Sequence, residues 1–407
     1  MTIICNGKVI DETGIRPGAV VAFENGVLVE PPAHPNPGDG IIDASGCYVS
    51  AGFIDLHTHG GGGFDFLDAT PEAFLGAARL HAAHGTTTLI PTATSGSQDE
   101  TMQMLRVFCA LPAEHDGADM PGIHLEGPYF SPAQCGAQDP GFVRAPDPKE
   151  YRAILASGAK ILRWSFAPEL PGSEAFARAL HEAGVLASIG HSNADYDEVQ
   201  RAYQWGCTHI THLYSCMSTV HRKNAYRYAG IVESAYLIDG MTSEIIADGV
   251  HLPAPLLQMV YRFIGPARTA LVTDSMRGAG MPDGESVLGS LRHGQKVWIE
   301  DGVAKLPDRS AFAGSVATMD RLVRNMRALA HASLADAVRM ATQTPAEIQG
   351  LTDRGTLTPG KRADIVLFDD ALRVQRTIVG GRTVYCAARK SQHAPAAAKE
   401  GSSAPCI

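Results

Sequence analysis

Apolar residues along this chain fall into two alternating patterns. Short, nearly continuous apolar runs recur at 53–57, 86–92, 122–127, 161–168, 186–191, 209–214, 243–249 and 269–275. Between most of them lie stretches such as PEAFLGAARLHAAH and SEAFARALHEAG, where apolar residues return every three or four positions. A short run that is apolar throughout reads as a strand buried on both faces, and the three-and-four spacing reads as an amphipathic helix. About eight such repeats in roughly 230 residues predict an α/β fold, a distorted (β/α)8 barrel of the TIM type. An open doubly wound sheet is the rival. It would favour a G-x-G-x-x-G turn after its first strand, and the glycines at 60 to 63 lack that context.

The flanks read differently. Residues 1–50 break into short strands and turns, with Asn6-Gly7 and Asn25-Gly26 at hairpin positions. The same texture returns near the C-terminus, so 1–50 and 351–388 are expected to pair into one small β-sandwich around a barrel at 51–350. Within the barrel, a hairpin insertion is expected at 285–310, with helices resuming at 316–330 and 333–343. The Ala/Ser/Pro-rich tail at 389–407 reads as disordered.

Composition narrows the function. The chain has 407 residues, 45% hydrophobic and 19% charged, which is ordinary for a globular enzyme and wrong for a disordered chain. A net charge of −9 argues against a nucleic-acid surface, and no apolar run is long enough to span a bilayer. The opening MTIICNGKVIDETG lacks a signal-peptide core. Eight scattered cysteines form neither a disulfide framework nor a thiolate zinc site, so a reducing cytoplasm is the expected setting. Cys207 and Cys216 read as small core residues.

The first apolar run ends in His57-Thr58-His59. Side chains two apart on a strand share a face, so these imidazoles project together, either to share a cation or as a hydrogen-bonded pair. Later runs also end in ionisable groups: Leu125-Glu126-Gly127, Gly190-His191-Ser192, His209-Ile210-Thr211-His212, Ala247-Asp248-Gly249 with His251 beyond, and Thr273-Asp274-Ser275. In a β/α barrel those ends converge on one rim, the active-site face. Imidazoles and carboxylates without thiolates suit zinc, iron, manganese or cobalt in an open catalytic site. Asp274 is then placed to take a proton from water and pass it to a leaving amine. His209 and His212 are three apart and face opposite ways on a regular strand, so only one should reach the metal. His81 and His84 read as helix surface.

The ordered set H-x-H, L-E-G-P, G-H-S, T-H-L-Y, A-D-G-V-H and V-T-D, with A-G-S at 313–315, resembles the N-acetylglucosamine-6-phosphate deacetylases of the amidohydrolase superfamily. The resemblance implies that Glu126, His191 and His212 hold the principal metal, and that His57 and His59 hold a second one bridged by Glu126. It makes Asp274 both a further metal residue and the acid/base group, and His251 the residue that contacts substrate and polarises the acetyl carbonyl. One or two divalent ions per subunit are implied, zinc foremost, with iron, manganese or cobalt as alternatives. Ala137, Gln138, Ser215, Cys216, Arg222, Arg227, Phe312, Ala313 and Gly314 become the expected substrate contacts. The family has Asn-Ala where Ser215-Cys216 stand, and Gly-Ala-His where Gly136-Ala137-Gln138 stand. Arg222 is the best counterpart of a phosphate-binding arginine often lent by a neighbouring subunit, with Lys223 and Arg227 close by. The implied reaction is removal of the N-acetyl group from an amino sugar 6-phosphate by a cytoplasmic homodimer. Other readings are a related amidohydrolase on another N-acetylhexosamine phosphate such as N-acetylgalactosamine 6-phosphate, an unphosphorylated amino sugar or an N-acyl-D-amino acid, and a non-catalytic scaffold.

Overall fold

The computed structural model describes residues 1–388. The tail expected to be disordered, 389–407, lies outside the described residues. Each of the eight apolar runs forms a strand: β1 (Phe53–Thr58), β2 (Thr86–Ala93), β3 (Ile123–Glu126), β4 (Ile161–Phe166), β5 (Leu186–Ile189), β6 (His209–Ile210), β7 (Thr242–Ile245) and β8 (Thr269–Leu271). They pair in sequence order, all parallel, into one 8-stranded sheet. The two edges meet past the strand ends, where Asp274 N donates to His57 O at 2.8 Å and His59 N to Ser275 O at 2.8 Å. The sheet is a nearly closed barrel.

Several helices begin where the sequence supplies a cap. Thr70 accepts from Ala73 N and Pro71 opens the helix Pro71–Ala83. Ser97 with Glu100, and Asp195 with Glu198, form reciprocal capping boxes on Gln98–Cys109 and Tyr196–Gln204. A large apolar cluster, including Phe53, Phe74, Leu89, Trp164, Phe176, Leu257 and Val323, packs the strands against these helices.

Several runs stop being strand earlier than their apolar pattern suggests. The chain leaves the pleat before His191, His212 and Asp274, which take left-handed backbone at φ 47°, 29° and 46°. A non-glycine residue pays for that conformation, and such residues cluster where geometry serves a site.

The two ends of the chain build the predicted sandwich. A 6-stranded sheet runs in the order Arg382–Cys386, Val374–Val379, Ile365–Phe368, Tyr48–Ala51, Lys8–Asp11, Gly14–Pro17, joining C-terminal to N-terminal strands. A 4-stranded sheet of Val27–Val29, Val21–Glu24, Thr2–Cys5 and Gly40–Asp43 faces it. Ile4, Phe23 and Leu28 from one sheet and Val9, Val49, Ile365 and Ile378 from the other share one core. Asn25-Gly26 makes the expected two-residue hairpin, both residues at positive φ (50° and 80°) and Glu24 opposite Val27. Asn6-Gly7 does not. There the chain crosses from one sheet to the other, and a Cβ on Gly7 would stand 2.7 Å from Val49 Cγ2.

Tyr48–Ala51 runs through Gly52 directly into β1, so the sandwich anchors the strand that carries His57 and His59. The insertion is larger than a hairpin. Gly284–Leu288, Gln295–Glu300, Val303–Lys305 and Phe312–Ser315 form a four-stranded antiparallel meander. Its own core of Met276, Val297, Ile299, Ala304 and Ala313 explains why a fourth strand is needed, and Ser315 bridges back to Ser275 beside the site. The helices that follow are Met319–Leu329, Leu334–Ala341 and Gln343–Gln349, the last two divided at Thr342.

Candidate active site

β1, β3, β5, β6 and β8 deliver His57, His59, Glu126, His191, His212 and Asp274 to one end of the barrel. All are buried. Glu126 Oε1 lies 2.9 Å from His212 Nε2, 3.0 Å from His191 Nε2 and 3.6 Å from His57 Nε2. Glu126 Oε2 lies 3.4 Å from His59 Nε2. Asp274 Oδ1 lies 3.1 Å from His59 Nε2 and 3.5 Å from His57 Nε2. The facing imidazole nitrogens are themselves close, 3.3 Å for His57 with His59 and 3.1 Å for His191 with His212.

The far side of each ring says which nitrogen carries its proton. His57 Nδ1 donates to Glu244 Oε1 at 2.8 Å, His191 Nδ1 to Gln134 O at 2.9 Å and His59 Nδ1 to Thr92 O at 3.3 Å. A carboxylate or carbonyl can only accept, so in neutral rings the Nε2 atoms present lone pairs to one another and to two carboxylates. Such a gathering is repulsive unless a proton or a cation sits within it. Two sets, His57, His59, Glu126 and Glu126, His191, His212, each offer ligand atoms all within 4.8 Å of one another. Nitrogen and oxygen donors backed by hydrogen bonds fit a divalent transition metal.

Without a metal, protons take that place. Burial disfavours a charged His57, but Asp274 and Glu126 outweigh it and raise its pKa to about 10. Burial likewise opposes the Glu126 and Asp274 carboxylates, yet His57 and His191 hold Glu126 well below the usual range, and His57 and His59 lower Asp274. The raised His57 contributes stability that is complete below its unfolded pKa and lost as pH rises through its folded one. The lowered carboxylates contribute above their unfolded values and lose it as pH falls. Chelator-stripped protein should therefore lose urea resistance between about pH 6.5 and pH 10, and the metal-loaded protein should lose less, because the ion has displaced that proton. Equal pH dependence of the two urea midpoints would contradict it.

Beneath the rim, the barrel interior holds a buried polar network. Arg163 on β4 donates to Glu244 on β7 (Nη1 to Oε2, and Nη2 to Oε1 at 3.3 Å) and to Leu56 O on β1 at 3.0 Å. These strands are not neighbours, so the side chains meet inside the barrel. Arg163 also reaches His124 Nδ1 at 3.0 Å and His209 Nε2 at 3.1 Å. Both imidazoles accept there and donate on their other side, to Ser165 at 2.7 Å and Thr242 at 2.9 Å, so both are neutral. Burial, with Arg163 beside it, keeps the pKa of His124 well below the ordinary value. The sequence reading missed Arg163, Glu244 and His124. A charge inside an otherwise apolar strand was the available signal.

His209 is the packed member of its pair and His212 the one at the rim; one reaches the rim, as expected, but the strand ends at Ile210 and a left-handed turn at His212, rather than alternation, separates them. His81 and His84 overturn the helix-surface reading. His81 is fully buried, donating from Nε2 to Gly60 O at 2.9 Å, because its helix face lies under the glycine turn; His84 is half-buried against Asp320. Cys207 is core, whereas Cys216 is half-buried and lines the cavity, because the chain turns at φ 49° there.

A cavity of about 320 Å³ opens above the rim. His59, Glu126, His191, His212, His251 and Asp274 face it, as do Ala137, Gln138, Ser215, Cys216, Phe312 and Gly314. Thr94, Tyr214, Leu288 and Ala311 also line it; Tyr214 closes the T-H-L-Y motif and Ala311 adjoins Phe312, whereas Thr94 and Leu288 carry no signal in the sequence. Ala313 points the other way, into the core of the meander. Arg222 and Arg227 do not line the cavity of their own chain. They lie opposite each other on an exposed hairpin of His221–Lys223 and Tyr226–Tyr228. His251 Nδ1 donates to Asp248 Oδ2 at 2.8 Å, and Asp248 Oδ1 accepts from the backbone of Val250 and His251.

The amidohydrolase family model matches residues 48–384 of this sequence. The chain belongs to the amidohydrolase family. Among curated relatives, the N-acetylglucosamine-6-phosphate deacetylase of Lysinibacillus sphaericus is 35% identical over 386 residues, spanning 93% of this chain and 97% of its own. That of Bacillus subtilis is 32% identical over 348 residues, 84% of this chain and 85% of its own. Among solved structures, an aspartate-to-alanine variant of the Mycobacterium smegmatis deacetylase in complex with N-acetyl-D-glucosamine-6-phosphate matches this amidohydrolase at a TM-score of 0.84 and 31% identity. The match covers 94% of this chain and 99% of that one. The Thermotoga maritima enzyme of the same name gives a TM-score of 0.82 at 29% identity, covering 95% and 100%.

Proposed function

We propose that this amidohydrolase cleaves the N-acetyl amide of N-acetyl-D-glucosamine 6-phosphate, giving D-glucosamine 6-phosphate and acetate. The observation that carries the reading is the convergence of imidazoles and carboxylates around Glu126 at the floor of the cavity, in a chain whose relatives bear that activity. Glu126, His191 and His212 would hold one divalent ion and His57 and His59, sharing Glu126, a second; zinc suits the donor set, with iron, manganese or cobalt as alternatives. Bound there, such an ion supplies Lewis-acid polarisation of the carbonyl and a lowered pKa for the attacking water.

The remaining work falls to the chain's own groups. Asp274, whose Oδ1 lies 3.1 Å from His59 Nε2 and 3.5 Å from His57 Nε2, accepts the proton of the water. It returns that proton to the amine nitrogen as the carbon–nitrogen bond breaks. His251, its Nδ1 anchored on Asp248, leaves Nε2 for the acetyl oxygen, where charge develops during the reaction. Asp248→Asn cannot fix that orientation and should lower kcat by about 10- to 100-fold with little change in metal content. Unchanged steady-state kinetics in that variant would remove the role of His251.

The phosphate calls for cations that the cavity does not supply from its own chain. Arg222 and Arg227 stand directly opposite each other, a like-charge pairing that an anion would relieve, and the hairpin is exposed. In a homodimer that hairpin would serve the partner's cavity. A small-molecule substrate needs neither nucleic acid nor membrane, and among the described residues no helix is long and apolar enough to cross one. Its described cysteines are all free, which fits a reducing cytoplasm. The test is acetate release from N-acetylglucosamine with and without the 6-phosphate, beside N-acetylgalactosamine 6-phosphate and an N-acyl-D-amino acid. Preference for the phosphorylated glucosamine derivative is expected, and equal turnover of the free sugar would redirect the assignment.

A further inference from the structure

Gln138 faces the catalytic cavity, yet both ends of its amide are engaged within the protein. Its Oε1 accepts from Ser95 N at 2.7 Å and its Nε2 donates to Glu126 Oε2 at 2.8 Å. The backbone N–H of Ser95 can meet only an acceptor, so the amide orientation follows. Reversed, it would set N–H against N–H and oxygen against carboxylate. Gln138 is 6% exposed, too buried to exchange these partners for water.

The two oxygens of Glu126 are therefore unequal. Oε1 stands 2.9 Å from His212 Nε2 and 3.0 Å from His191 Nε2, with His57 Nε2 farther off at 3.6 Å. Oε2 stands 3.4 Å from His59 Nε2 and carries the Gln138 donor. We infer that Gln138 is a positioning residue that sets the order of cation binding. It pins the Glu126 carboxylate so that Oε1 serves His191 and His212, and it occupies Oε2, the oxygen beside His59 Nε2. A carboxylate oxygen that already accepts an N–H has one lone-pair direction fewer and less charge for a cation. The ion at His191 and His212 binds first, and the one at His57 and His59 binds more weakly. This inference rests on the metal reading above, and it gives Gln138 a role in place of the substrate contact that the resemblance implied.

Zinc titration of chelator-stripped full-length protein by calorimetry, with ion content measured alongside, reads the stepwise dissociation constants without substrate. The wild-type chain should take up two ions with separated constants. Gln138→Met, similar in length but without the donor, should narrow that gap about tenfold and leave KM nearly unchanged. Gln138→Leu, a second replacement without a donor, tests the same loss should the methionine disturb the loop, with the urea midpoints of both variants showing that the fold is kept. Wild-type isotherms in both variants, with KM raised, would overturn the inference and make Gln138 a substrate contact. Equal constants in the wild-type chain would also overturn it. A wild-type chain that binds no zinc would instead remove the metal reading itself.

Discussion

Asp274→Asn should keep the fold and the ion bound by Glu126, His191 and His212 while losing nearly all turnover. The amide has the shape of the carboxylate but cannot take a proton at neutral pH. Asp274 lies at the seam where β8 meets β1, its N–H bonded to His57 O at 2.8 Å and its Oδ1 3.1 Å from His59 Nε2. An asparagine can occupy that space, so the loss should appear in kcat and hardly in KM. Removing a positioned acid/base group lowers the rate by up to about 10⁴-fold, and that is the size expected here. Steady-state kinetics and ion content on the same preparation check it. A variant with near-normal kcat would leave the proton transfers without an agent.

Arg163→Met should destabilise the protein more than any change at the surface. Arg163 and Glu244 are both 0% exposed, and the guanidinium also serves Leu56 O, His124 and His209. Methionine fills most of the volume but leaves Glu244 charged in the barrel interior. Breaking a buried ion pair by deleting one partner costs about 3–5 kcal/mol, because the survivor is uncompensated. Urea unfolding gives the value directly. The double variant Arg163→Met with Glu244→Gln should recover part of the loss, since it removes the orphaned charge as well. A loss below about 1 kcal/mol, the range of exposed pairs, would mean that Glu244 is not held as an anion by Arg163. Glu244 also receives His57 Nδ1 at 2.8 Å, so this pair supports the rim as well as the barrel.

Why the strands were legible, and much of the interior was not, follows from what an apolar run encodes. A parallel strand covered on both faces carries little beyond its apolar residues, so all eight stood out. Period-two alternation correctly paired His57 with His59; His209 and His212 part ways because the strand ends at Ile210, not through the alternation of a regular strand. The strand ends were overextended because His191, His212 and Asp274 enter left-handed backbone that no apolar pattern announces. Arg163 and Glu244 looked like interruptions because their partnership runs across the barrel, between strands distant in sequence. His81 was misread for a related reason. Its helix has small residues on most faces, and only the glycine turn at Gly60 shows which side is covered. Asn6-Gly7 carries a hairpin signature, but the packing of Gly7 against Val49 sends the chain to the other sheet. The arginines at 222 and 227 were found from resemblance, and the fold of one chain leaves them away from its own cavity.

The central claim is that side chains from separate strands surround a cation at the rim of the barrel. Anomalous diffraction from crystals of the zinc-loaded protein, recorded on both sides of the zinc edge, addresses it without reference to substrate. A zinc peak within bonding distance of Glu126 Oε1, His191 Nε2 and His212 Nε2 is the expected result, with a second, weaker peak beside His57 and His59. Zinc located only elsewhere, with those imidazoles bonded directly to Glu126, would contradict the account.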